Sequence, residues 1–336
     1  MDATLTSLTF ENNDELVSFL TKETVPQDLS YIKQLVLSSS TKYASCISKL
    51  NYLESIVINK GIWQYLGKLI KRNAKLKNII IINNLIMAIN KNIDSLVNLQ
   101  VLVLNNNIIT KIPLSLYSMI TLKELSLDDN KINHLSTNIS KLHNLKYLSL
   151  KNNMLTRVPK SLWTLQGLRY LDLSCNKINK IRISKSKTSF CTKLQTLKLS
   201  SNGLTKLPLQ LSKLQELSIL RLDNNLLSDS SCKMLQKFNT LKVLSVMNNL
   251  ITTFMIDIHV TSLENCILEE LALSGNNLVA LDPKIFMLPK LKYLYVCNIP
   301  NIKDDLNWYV HIANSKGIKI MTGGGCYANK NDNNSA

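Results

Sequence analysis

From residue 76 to residue 278 the chain repeats one arrangement of apolar and polar positions. Leu99, Leu102, Leu104, Asn107 and Ile109 are followed 23 residues later by Leu122, Leu125, Leu127, Asn130 and Ile132. Counted from the first leucine, apolar residues hold positions 1, 4, 6 and 11, and asparagine holds position 9. Repeats beginning at Leu76, Leu145, Leu168, Leu194, Leu217, Leu241 and Leu268 fill every one of these positions. Partial repeats begin at Leu5, Ile32, Leu53 and Leu291, with Ser40, Gly61 and Ile299 in the asparagine position of the last three. That makes 13 repeats, of which those starting at 5, 168 and 241 are enlarged to 27, 26 and 27 residues.

The stretch through positions 3 to 7 alternates with period 2, the mark of a short strand with one buried face. Positions 4 and 6 then point inward and positions 3, 5 and 7 point out. No single repeat can bury its apolar face alone, so the core arises only when repeats stack and their strands pair in parallel. A side-chain amide carries both a donor and an acceptor. The asparagine column is therefore expected to satisfy backbone groups where the chain turns out of each strand, groups that would otherwise be buried unpaired. The second half of a repeat reads Ile112-Pro113 followed by Leu116, Met119 and Leu122, and the same spacing follows Pro26, Pro159 and Pro208. Apolar residues every third position predict a 3-10 turn or loose helix, and proline is tolerated at its start because it has no N–H to donate. Residues 303–316 are expected to form a capping helix, with Asp304 and Asp305 at its N-terminal end, Lys316 at its C-terminal end and Gly317 just beyond. Ile318 to Ile320 would add a last strand.

This pattern, LxxLxLxxNxL, resembles the leucine-rich repeat, and the resemblance covers residues 5–300. It implies an α/β leucine-rich repeat solenoid, a curved horseshoe with a parallel sheet on its concave side and 3-10 turns, loops or helix on its convex side. The domain reading is one array over 1–321 and a disordered polar tail over 322–336. The 23-residue, Leu-Pro-bearing version is similar to the intracellular Ras-group leucine-rich repeat proteins, which implies signalling or adaptor work. Val25-Pro26-Gln27-Asp28-Leu29 also resembles an F-box-like adaptor opening, which would imply a ubiquitin-ligase substrate receptor; the repeat phase accounts for the same residues.

Composition follows from the repeat. The 60 leucines and 39 asparagines are its core and its turns. Formal charge is +17, carried by 35 lysines and only 5 arginines. Residues 1–30 sum to −5, residues 31–75 to +7 and residues 146–193 to +10. Lysine, asparagine and isoleucine all have A/T-rich codons, so part of this balance reflects nucleotide composition. The 7 cysteines are scattered without a CxxC, which argues against a disulfide framework or a zinc site and for a reducing compartment. The chain opens without a basic, then apolar, leader, and its most apolar window, 79–89, is too short to span a bilayer. The expected setting is the cytosol or nucleus and the expected state a monomer.

No residues form a catalytic constellation. His134, His143, His259 and His311 lack partners at metal-ligating spacing, Cys175 has no evident base, and no cofactor is implied. Candidate chemistry lies instead on the outward positions of the strands, where repeat solenoids bind. One cluster is apolar: Val57, Ile80, Ile82, Val101 and Val103. Exposed β-branched patches mark interaction sites, although strand propensity favours the same residues. A second cluster is mixed: Tyr147, Tyr170, Asp172, Lys151, Arg169, Lys198 and Arg221, with tyrosine and arginine the types enriched in hot spots. Tyr293 and Tyr295 form a third candidate or pack the cap. A basic loop carries Lys180, Arg182, Lys185 and Lys187, where Ser184, Ser186 and Thr188 offer phosphorylation sites. A protein partner on the concave face is the leading expectation. RNA or another polyanion on the surface of 146–193 is the alternative, disfavoured by the scarcity of arginine and interleaved aromatics.

Overall fold

The computed structural model describes residues 7–11, 15, 18–19, 32–38, 50, 52–64, 74–183, 190–231, 240–256, 263–302 and 305–322. The segments holding Pro26, His259, Lys185, Lys187 and the polar tail from 323 onward lie outside these residues. The chain forms two compact units, Met1–Leu168 and Arg169–Ala336, here called the N-terminal and C-terminal halves.

Among the described residues the N-terminal half carries seven strands in sequence order: β1 (Ser7–Phe10), β2 (Gln34–Leu37), β3 (Ser55–Asn59), β4 (Asn78–Ile82), β5 (Val101–Val103), β6 (Glu124–Ser126) and β7 (Tyr147–Ser149). All pair in parallel, with position 4 facing position 4: Leu35, Ile56, Ile79, Leu102, Leu125 and Leu148 form one row. Each of these side chains is fully buried. The C-terminal half repeats the arrangement with β8 (Tyr170–Asp172), β9 (Thr196–Lys198), β10 (Ile219–Arg221), β11 (Val243–Ser245), β12 (Glu270–Ala272), β13 (Tyr293–Tyr295) and β14 (Lys319–Met321). Its position-4 row is Leu171, Leu197, Leu220, Leu244, Leu271 and Leu294.

The expected turns after proline are present. Pro113, Pro159 and Pro208 cap 3-10 turns at Leu114–Ser118, Lys160–Thr164 and Leu209–Lys213. In each, the proline carbonyl accepts the first backbone hydrogen bond, from Leu116, Leu162 and Leu211. The segment expected as a cap holds the helix α1 (Leu306–Ser315), with Tyr309 and Ala313 buried. The Tyr309 hydroxyl accepts a hydrogen bond from the Leu281 amide at 3.1 Å. Gly317 takes a φ of 71° just beyond the helix, a conformation that costs glycine little.

The asparagine column works as expected and shows a direction. The Asn130 amide nitrogen donates to the carbonyls of Leu104, Leu127 and Asp128 at 2.9, 3.1 and 3.0 Å, and its oxygen accepts the Ile109 amide at 2.9 Å. Leu104 and Ile109 belong to the repeat before. Asn107, Asn153 and Asn225 make the same four bonds or their equivalents.

Position 8 shows a second column that the pattern did not reveal. Lys60, Asn83, Asn106, Asp129, Asn152, Cys175, Ser201, Asn224, Asn248 and Asn298 all have φ between 52° and 58°, and Gly275 has 67°. This is the left-handed region, where asparagine, aspartate and glycine are favoured. The doublets Asn83-Asn84, Asn106-Asn107 and Asn152-Asn153 were the available signal.

Cys175, Cys191 and Cys266 are free thiols, but Cys297 is disulfide-bonded. The reading against a disulfide framework is corrected at Cys297, and one bonded cysteine leaves no spacing signature in the sequence.

Candidate interaction face

In the N-terminal half the position-5 side chains of β2 to β5 are Val36, Val57, Ile80 and Val103. Register sets them side by side on four neighbouring strands. All four are half-buried, as are the flanking Ile82 and Val101. The row stops at β6 and β7, where Ser126 and Ser149 are buried. Their hydroxyls donate to the side chains of Asn105 and Asp128. Tyr147 on β7 is half-buried and Lys151 just beyond it is exposed, its backbone amide donating to Asp128 Oδ1 at 2.7 Å.

Along the edge where the chain enters these strands, position 2 holds Lys33, Glu54, Lys77, Gln100, Lys123 and Lys146. The Lys77 ammonium meets Glu54 at 2.7 Å, and this hydrogen bond holds the Glu54 carboxyl below its usual range. Lys123 donates to Gln100 Oε1 at 2.8 Å. Lys33 and Lys75 approach the exposed ring of Tyr52, at 5.7 and 4.3 Å from its centroid.

The C-terminal half presents a different face. Tyr170 lies under the Lys198 ammonium, 5.6 Å from its ring centroid, and its hydroxyl donates to Asp172 Oδ2 at 3.3 Å. Asp172, expected to face a partner, is only 4% exposed. Its other oxygen accepts the Ser174 amide at 2.9 Å: a short acidic side chain bonds the backbone two residues on instead of standing out. Arg221 is half-buried and Arg169 exposed. Asp223 accepts from the Ser245 hydroxyl and the Met247 amide, so it braces the next strand.

Glu270, which sequence reasoning missed, is 8% exposed, and its Oε1 has no hydrogen-bond partner. Desolvation pushes its carboxyl above the usual range, with Arg221 opposing and Asp223 adding to the shift. Burial likewise raises the phenol of Tyr295 on the adjacent strand. Tyr293 lies beneath Lys319, at 5.9 Å. Tyr293 and Tyr295 thus join a packed polar cluster on β12 and β13 beside the cap. Lys180 and Arg182 of the basic loop are exposed.

Among the described residues no group of histidine, cysteine, aspartate and glutamate could hold a metal ion, and no helix is long and apolar enough to cross a membrane. Burial pushes the Cys191 thiol up to about 12, which leaves it protonated and unreactive.

These features define each half as a leucine-rich repeat solenoid. Residues 120–178 match a family model described as "Leucine rich repeat", and residues 193–214 match a second of the same description. Among solved structures the chain is similar to an internalin from Listeria monocytogenes, with 25% identity, 94% of this chain and 95% of that chain covered, and a TM-score of 0.68. It is similar to a leucine-rich repeat protein of Leptospira interrogans at 21% identity, covering 94% of this chain and 99% of that one, with a TM-score of 0.64. It also resembles the ectodomain of a membrane receptor kinase from Arabidopsis thaliana, solved in complex with Casparian strip integrity factor 2, at 20% identity and a TM-score of 0.59. That match covers 89% of this chain but 39% of the receptor chain. No curated protein matches the sequence.

Proposed function

We propose that the protein is a non-enzymatic interaction scaffold or adaptor that binds a protein partner on the solvent face of its sheet. One observation carries the reading: Val36, Val57, Ile80 and Val103 form a continuous half-exposed aliphatic row across four paired strands. Such a row is a poor choice for a surface that meets only water. Fold-level likeness supports it, since the plant receptor ectodomain of the same architecture is seen with a bound factor. The mixed residues Tyr170, Lys198 and Arg221 offer a second contact region in the C-terminal half, and adaptor work in signalling is the role that the repeat type suggests.

The test is affinity capture from the native cell with the full chain and with Ile80→Glu/Val103→Glu. Proteins held by the wild type should fall at least about tenfold in the variant, as expected when a central apolar contact is lost, while its melting curve stays unchanged. Equal recovery by both would sink the reading.

A further inference from the structure

The aliphatic row does not stand alone. Its leading edge carries Lys33, Lys75 and Lys77, and the edge continues past the row to Lys123 and Lys146 at the starts of β6 and β7. Two glutamates lie at the starts of the same repeats. Glu54 is already taken by Lys77, and Glu124 is half-buried, its carboxyl raised by desolvation. The opposite edge over the same strands carries the exposed Lys60 and a ladder in which Asn59, Asn83 and Asn106 bond one another at 2.7 and 2.5 Å. The apolar strip is therefore flanked by lysine on both margins, more densely along its leading edge.

We propose that this strip and its lysine border form one docking surface for an acidic, apolar protein segment. Its branched or aromatic side chains would sit on Val57, Ile80 and Val103, and its carboxylates would meet Lys33, Lys75 and Lys123. The inference rests on the reading that the sheet face binds protein and adds the chemistry of the occupant. Three strand spacings give the row a length of about 14 Å, enough for about four extended residues or about two and a half turns of helix. A basic segment would be repelled by the border, and a neutral one would leave it unused. A nucleic acid would find charge but a poor stacking platform: bases need aromatic faces, and the exposed ring of Tyr52 already takes Lys33 and Lys75.

The experiment is selection of a random peptide-display library on the full chain, followed by anisotropy titration of the enriched peptides in labelled form. Enrichment of aspartate and glutamate together with leucine, isoleucine, valine or phenylalanine is expected. Affinity should drop about tenfold or more in Val57→Thr/Ile80→Thr and about tenfold in Lys33→Gln/Lys75→Gln/Lys123→Gln, and should weaken as salt rises. Threonine keeps the strand preference of the residues it replaces, so folding is retained and checked by melting. Peptides lost with the row variant but indifferent to the lysine variant would overturn the acidic occupant and leave protein binding standing. Peptides indifferent to both would overturn both readings. A labelled single-stranded RNA that binds more tightly than any peptide, and depends on the lysines but not on the row, would replace the proposal with polyanion binding.

Discussion

The two halves repeat the same kind of interior and differ on their solvent faces. Leu125 and Leu148 in the first have the same burial and the same parallel partners as Leu197 and Leu220 in the second. The asparagine at position 9 makes the same bonds in both, as Asn130 and Asn225 show. On the outward positions the first half sets valine and isoleucine beside lysine, while the second sets tyrosine, lysine, arginine and a buried glutamate. The difference teaches where freedom lies. Inward positions are held by packing that every neighbour shares, whereas position 5 varies: Val57, Ile80 and Val103 are half-exposed, while Ser126, Ser149 and Asp172 are held by hydrogen bonds within the protein.

The largest expected effect tests the shared interior. Asn130→Ala and Asn225→Ala each strip protein partners from buried backbone groups in two repeats. Each should destabilise its half by about 3 kcal/mol, measured by urea unfolding. Equal losses would confirm one skeleton, and a loss confined to one half would break the comparison.

The next effect separates the faces by pH. Glu270 is held above the ordinary carboxylate range by desolvation. The folded state therefore binds its proton more readily than the unfolded chain. Its stabilising contribution is complete below the unfolded value and is lost as pH rises through the raised folded value. Glu270→Gln should flatten that decline in a melting series across pH and raise the melting temperature at neutral pH. Glu124→Gln should do the same for the N-terminal half, since Glu124 is raised by the same cause with no cation offsetting it. The smallest effect concerns the border: Lys77→Gln removes an exposed pair with Glu54 and should cost less than about 0.5 kcal/mol, vanishing at high salt.

Much of the skeleton was legible because it is periodic. The register of the strands, the turns after Pro113, Pro159 and Pro208, and the backbone role of the asparagines all follow from residue types recurring at fixed positions. Ile80, Ile82, Val101 and Val103 were legible as a patch for the same reason, since register places equal positions side by side. Asp172 was not. Its burial depends on Tyr170 beside it and Ser174 after it, and no spacing rule encodes a side chain folding back. Glu270 was hidden in a position that is half-exposed in every other C-terminal strand whose pattern resembles its own, from Tyr170 to Tyr293. The left-handed column is masked in the sequence by the asparagine beside it: the second of each doublet bonds the backbone, and the first is the one that bends the chain.

The asparagine column has a polarity that bears on how the protein is made. Each side chain completes the turn of the repeat before its own: Asn84 serves Trp63, Asn107 serves Ile86, Asn130 serves Ile109, and Asn249 serves Leu227, across 21 to 22 residues of chain. A repeat leaving the ribosome therefore has its turn closed only after the next asparagine has emerged. Closure runs one step behind synthesis, and a nascent chain halted between repeats carries one open turn at its growing end, whatever its length.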